Sequence, residues 1–235
     1  MIDFRLMFNG HKVGALLLMG GRGERFCSQV PKQFALLGGK PLYRYALHTF
    51  LQTGFFDQIV LVCHPDWMEM VRGEEGVCVV EGGATRQKSS FLGVAAFSPM
   101  PDFVLIHDAV RPFVTKEIVE RNLHAVIAGG AVDTCIPSAD TLVFAPGKEK
   151  VQSIPNREDF LRGQTPQTFR LSWLLEAQNK AEQEGICNAS DDCHLLLNAG
   201  FPVSVVRGSE ENIKVTVDFD LVIAEALMQN RQISC

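Results

Sequence analysis

Apolar residues fall along the chain in short continuous runs that alternate with longer amphipathic stretches. Val13–Met19 (VGALLLM) is an unbroken apolar run and predicts a buried strand, which ends in Gly20-Gly21-Arg22-Gly23. Ile59–Cys63 (IVLVC), Val77–Val80, Phe103–Ile106 and Ala131–Ile136 predict further strands of the same kind. Between them lie helical stretches: Leu42–Leu51 behind Pro41, Thr85 to Phe97 behind Gly82-Gly83, and Thr115–Ala128 with Thr115 as its N-cap. This βαβα rhythm predicts an α/β fold, a doubly wound and mostly parallel sheet covered by helices on both faces. Ligands bind such sheets at the carboxyl ends of the strands. The unusual loops sit there: Gly20–Pro31, Gly82–Ala84 and His107–Pro112.

The rhythm breaks at Ser138–Ile154. Leu142–Ala145 and Val151–Ile154 predict two short strands around a Pro146-Gly147 turn, hence a β-arm over residues 138–157 that protrudes from a single domain spanning residues 1–235. Helices are predicted again at Ser172–Glu184, Asp191–Ala199 and Asp218–Asn230, with strands at Val203–Val206 and Ile213–Thr216.

Composition narrows the class. Of 235 residues, 46% are apolar and 21% charged, a globular balance with enough apolar surface for a core. The net charge of −5 without a long basic run disfavours nucleic acid as the main ligand. Seven scattered cysteines without CxxC spacing argue against a disulfide framework and a zinc site. The first apolar run is too short for a membrane span, so a cytoplasmic protein that does not enter a membrane is expected.

The glycines after the first strand let backbone N–H groups approach phosphate oxygens closely. Two familiar phosphate loops fail here. A dinucleotide fingerprint starting at Gly21 needs a small residue where Phe26 stands, and a Walker loop ending at Gly39-Lys40 needs glycine and Ser or Thr where Phe34 and Pro41 stand. What remains is a long loop carrying Arg25 and leading to Pro31-Lys32-Gln33, with two cations able to wrap a triphosphate.

Gly-Gly-x-Gly-x-Arg followed by Pro-Lys-Gln resembles nucleotidyltransferases that activate sugar phosphates. Four further motifs follow in order: Gly82–Ser89 (GGATRQKS), His107–Pro112 (HDAVRP), Thr165-Pro166-Gln167 and Asn212–Thr216 (NIKVT). Together they resemble the 2-C-methyl-D-erythritol 4-phosphate cytidylyltransferase family over about Lys12 to Leu227. The resemblance implies a Rossmann-like nucleotidyltransferase fold, CTP and a sugar-alcohol phosphate as substrates, Mg²⁺ as cofactor, and a homodimer built through the arm. It places Arg25, Lys32 and Lys214 as the catalytic cations, since a phosphate attacking a triphosphate needs alignment and charge neutralisation. It places Met19, Gly20, Gly21, Gly23, Gly83, Arg86, Ser89, Asp108 and Ala109 around the nucleotide. Asp108, Arg111, Thr141, Arg157, Thr165 and Ser190 fall to the acceptor, with Thr141, Arg157 and Ser190 reaching a neighbouring subunit. Asp108, at a strand end, is also the carboxylate available to Mg²⁺, directly or through water.

Two positions depart from the family pattern. The usual Ala-Ala opening is Met19-Gly20, and an acidic residue often found after the Gly-Gly pair is Ala84. Two rival readings stand beside this one. Ile154–Arg157 (IPNR) and Gly163–Phe169 (GQTPQTF) suit a ribitol 5-phosphate cytidylyltransferase, whereas Asn212–Thr216 and Ser190-Asp191-Asp192 suit the methylerythritol enzyme. A non-catalytic nucleotide sensor would not need the three cations, which favours an enzyme.

Overall fold

A computed structural model describes residues 8, 10–21 and 31–233. The element order begins β1 (Val13–Met19), a hairpin of β2 (Leu36–Leu37) and β3 (Lys40–Pro41), α1 (Tyr43–Thr53), β4 (Gln58–Cys63), β5 (Cys78–Glu81), α2 (Arg86–Ala95) and β6 (Phe103–Asp108). It continues with α3 (Lys116–Gly129), β7 (Ala131–Pro137), β8 (Leu161–Arg170), α4 (Leu171–Gln183), α5 (Asp192–Ala199), β9 (Ser204–Arg207) and α6 (Asp218–Ile233). Seven strands form one sheet in the order β5-β4-β1-β6-β8-β7-β9. The pairs β5–β4, β4–β1, β1–β6 and β7–β9 are parallel; β8 runs antiparallel to both β6 and β7.

The continuous apolar runs are explained by a core on each face. Successive side chains alternate across the pleat, so Ala15, Leu17 and Met19 pack with Ile59, Leu61 and Leu105 beneath α1 and α3. Leu16 and Leu18 join Val60, Val62, Val104 and Ile106 beneath α2, α4 and α5. Helix α2 lies so close to the sheet that a Cβ on Gly93 would come within 2.3 Å of Leu16 Cδ1 and 2.6 Å of Val62 Cγ2. The helix starts follow the sequence: Thr85 accepts from Lys88 N, Thr115 from Ile118 N, and Asp191 from His194 N.

Three expectations are corrected. Strand β8 was not predicted; the sequence LRGQTPQTFR has no apolar alternation, and its backbone is strand because β6 and β7 pair with it on either side. The predicted strand at Ile213–Thr216 is a loop. It is held by Val215 N donating to Val110 O and by Asp220 accepting from Thr216, so no strand pairs with it. The two predicted arm strands reduce to one bridge, Phe144↔Ser153, around a turn closed by Lys148 N donating to Ala145 O. A two-stranded ribbon without a third strand or a covering helix is marginal in water. Its apolar residues Val143, Phe144, Val151 and Ile154 are all exposed.

Candidate active site

A cleft of about 940 Å³ opens at the carboxyl ends of β1, β4, β5 and β6. Met19, Gly20 and Gly21 at the end of β1, Lys32 and Gln33, Gly83, Arg86 and Ser89, Asp108 and Lys214 all line it. Residues from opposite ends of the chain thus share one wall. Gly23 and Arg25 lie outside the described residues.

Gln33 shows why the glycine loop begins and ends where it does. Its buried amide donates both hydrogens, to Met19 O at 2.9 Å and to Gly21 O at 3.0 Å, and so ties the Pro-Lys-Gln segment to the end of β1. Sequence reasoning gave Gln33 no role of its own, although its place beside Lys32 was visible. Across the cleft, Gly83 N donates to Ser89 Oγ, and a Cβ on Gly20 would stand only 2.9 Å from that same oxygen. The first loop and α2 thus approach closely at Gly20, and a side chain there would have to displace the Ser89 hydroxyl.

Asp108 is the electrostatic centre. Its carboxylate lies 2.7 Å from Lys214 Nζ, 3.5 Å from Arg86 Nε and 4.0 Å from Arg111 Nε. Burial alone would raise its pKa; Arg86, Lys214 and Arg111 outweigh that and hold the group well below the usual carboxylate range. A residue that sequence reasoning left without a role, Asp192, completes the array. It is fully buried, takes Arg86 Nη1 at 2.7 Å and accepts from Ser90 Oγ at 2.7 Å. Arg86 is thereby strung between two carboxylates, one from β6 and one from α5.

Behind Asp108 runs a buried hydrogen-bond chain. Thr165 Oγ1 accepts from Asp108 N at 3.0 Å and meets His107 Nδ1 at 2.9 Å. His107 Nε2 faces Arg111 O at 3.1 Å, and a carbonyl only accepts, so the proton sits on Nε2 and Thr165 donates to Nδ1. Burial lowers the His107 pKa to about 4 and keeps the ring neutral. Asn212 fastens the Lys214 loop, with Nδ2 donating to Thr165 O and its backbone carbonyl accepting from Arg111 Nη1. The β-bulge that places Thr165 comes from the β7–β8 register, where Asp133 faces Gln167 but Thr134 faces Gln164.

The remaining expected residues are placed differently. Arg111 and Thr165 are buried beneath the cleft floor rather than lining it, and Ala109 is fully buried with its N–H on Leu18 O. Thr141, Arg157 and Ser190 are exposed and lie outside the cleft wall. Arg157 instead donates to Ala139 O across the base of the arm.

A cleft that gathers cations around a buried carboxylate, beside a glycine loop, suits transfer between two anions. The comparisons agree. A family model described as 2-C-methyl-D-erythritol 4-phosphate cytidylyltransferase matches residues 13–230. A ribitol-5-phosphate cytidylyltransferase of Lactiplantibacillus plantarum is 37% identical over 230 residues, covering 92% of this chain and 98% of that protein. Among solved structures, 2-C-methyl-D-erythritol 4-phosphate cytidylyltransferase from Thermus thermophilus is 35% identical with a TM-score of 0.77, covering 93% of this chain and 99% of that one. The 4-diphosphocytidyl-2C-methyl-D-erythritol synthase of Anaerococcus prevotii gives a TM-score of 0.84 at 28% identity, covering 95% and 99%.

Proposed function

The chain belongs to the 2-C-methyl-D-erythritol 4-phosphate cytidylyltransferase family and is a cytidylyltransferase; from that premise we propose that its acceptor is 2-C-methyl-D-erythritol 4-phosphate and its product 4-diphosphocytidyl-2-C-methyl-D-erythritol. That reading assigns it to non-mevalonate isoprenoid biosynthesis. The observation that carries the site assignment is the convergence of Lys214, Arg86 and Arg111 on Asp108, a buried carboxylate in the cleft wall at the end of β6. In this reading the cytosine sits in the corner made by Met19, Gly20, Gly83 and Ser89, and the triphosphate runs towards Lys32. A phosphate oxygen of the acceptor attacks the α-phosphorus of CTP, the bond to the β-phosphate breaks, and pyrophosphate leaves. Lys214 neutralises the negative charge on the α-phosphate oxygens as the phosphorus becomes five-coordinate, and its position is already set by Asp108 and Asn212 before substrate arrives.

The donor set fits a magnesium ion that arrives on the triphosphate. Among the described residues, Asp108 and Asp66 supply the cleft's carboxylates, and of the two Asp108 lies at its cationic end, which matches an ion held chiefly by phosphate oxygens and water. Bound there, the metal would supply charge neutralisation on the leaving pyrophosphate.

The arm supports a dimer. Phe144 is 53% exposed and Ile154 63%, an apolar cost that a second copy would remove. In that dimer Thr141, Arg157 and Ser190 complete the partner's acceptor site. Phe144→Asp is expected to give a monomer by analytical ultracentrifugation with loss of acceptor use; a fully active dimeric variant would refute the arm assignment.

A second reading has its own support: the 37% identical relative is a ribitol-5-phosphate cytidylyltransferase. Pyrophosphate release from CTP with Mg²⁺, comparing methylerythritol phosphate with ribitol phosphate, separates the two. Turnover with the ribitol compound alone would overturn the acceptor proposed.

A further inference from the structure

Asp66 lines the cleft but belongs neither to the glycine loop nor to the cationic end. The strand order β5-β4-β1-β6 sets β4 between β1 and β5. The residues that follow β4, His64, Pro65 and Asp66, therefore emerge between Gly20 on one side and Gly82-Gly83 on the other. Those two loops are the ones assigned above to the base. Asp108 lies across β1, at the end of β6. The cleft is thus asymmetric, with Arg86 and Lys214 gathered on the Asp108 carboxylate at the β6 end and the Asp66 carboxylate standing apart from them at the β4 end.

Main-chain groups at the β4 end are partly committed: Gly82 N donates to Cys63 O and Gly83 N to Ser89 Oγ. The neighbouring Ala84 carries only a methyl group. From this placement we propose that Asp66 is a specificity-determining residue, whose carboxylate accepts a hydrogen bond from the exocyclic amino group of cytosine. The inference rests on the base placement proposed above. A carboxylate is an acceptor only. Cytosine presents an amino donor at ring position 4, and uracil presents a carbonyl oxygen there. Asp66 would hold the first and repel the second. Its backbone is fixed for this task. His64 Nδ1 accepts from Asp66 N at 3.2 Å and caps the short 3-10 helix Pro65–Val71, whose first residue is a proline. The Asp66 side chain is 69% exposed, so water competes for it, and the discrimination is about tenfold rather than the far larger ratios of buried polar pockets.

The test compares kcat/KM for CTP and UTP in the wild type, Asp66→Ala and Asp66→Asn, together with equilibrium titration of each nucleotide in the absence of acceptor. Asp66→Ala is expected to lower the CTP-to-UTP ratio about tenfold, through loss on CTP together with relief of the repulsion on UTP. Asp66→Asn is expected to gain on UTP, because the amide can turn its NH₂ towards the uracil oxygen. A purely structural role would weaken both nucleotides alike. A ratio unchanged within about twofold in both variants, or a parallel fall for both nucleotides, would overturn the inference. Wild-type protein that binds CTP but releases no pyrophosphate with either acceptor would instead sink the functional reading, a different outcome from a failed ratio.

Discussion

Replacing Lys214 by alanine separates what the cation does for the fold from what it does for the reaction. Lys214 Nζ stands 2.7 Å from Asp108 Oδ2 and is 38% exposed. At an effective dielectric of about 20, two unit charges at that spacing attract by about 6 kcal/mol. Most of this is offset by desolvation of the pair and screened by the solvent that reaches Lys214. Arg86 and Arg111 also remain to compensate Asp108 in the variant. The net loss of stability should be about 1–2 kcal/mol, a fall of roughly 2–8 °C in Tm for a chain of this size. The reaction has no such reserve. A positioned charge aimed where the transition state gains charge is worth about a hundredfold to a thousandfold in kcat. The assay is pyrophosphate release at saturating CTP and acceptor, beside a thermal melt. Lys214→Ala should melt within a few degrees of wild type and lose about two to three orders of magnitude in kcat. A variant within about threefold of wild-type turnover would refute the mechanism; one that fails to fold would refute the stability reasoning.

His107 makes stability depend on pH. Its folded pKa of about 4 lies below the unfolded value of about 6.5. The unfolded chain takes up a proton first, so this contribution is complete above about pH 6.5 and is lost progressively as pH falls from there towards about 4. Stability at about pH 5 should be about 2 kcal/mol lower than at about pH 7 from this group, with a smaller decline in His107→Gln; equal urea midpoints for the wild type at the two pH values would refute it. Asp108 acts in a separate window: its depressed pKa stabilises the fold above the ordinary carboxylate range and is lost only in stronger acid. Gly93→Ala should cost about 1–3 kcal/mol through overpacking against Leu16 and Val62, read as a lower chemical-denaturation midpoint; an unchanged midpoint would show that the α2–sheet contact can relax.

Much of this was present in the one-dimensional pattern. VGALLLM reads as a strand with a core on both sides, and its residues alternate between two separate apolar clusters. The caps Thr85, Thr115 and Asp191 are local interactions between a side chain and a backbone amide three residues on, so the sequence by itself determined those helix starts. Three of the ordered motifs fall at one end of the sheet because Gly20-Gly21, Gly82-Gly83 and His107-Asp108 stand at the carboxyl ends of β1, β5 and β6, which the parallel pairing brings together; Thr165-Pro166-Gln167 lies within β8 and Lys214 in a loop. Tertiary structure decided the rest. Strand β8 exists through its neighbours, and the bulge in it aims Thr165 at Asp108. The loop at Lys214 and the buried Asp192 reach the same carboxylate network from distant elements, which no local periodicity encodes. The asymmetry of the cleft depends on strand order as well, because only the sheet puts the end of β4 between the two loops assigned to the base. Local pattern set the elements and the cationic chemistry, while long-range pairing decided which charges meet and at what distance.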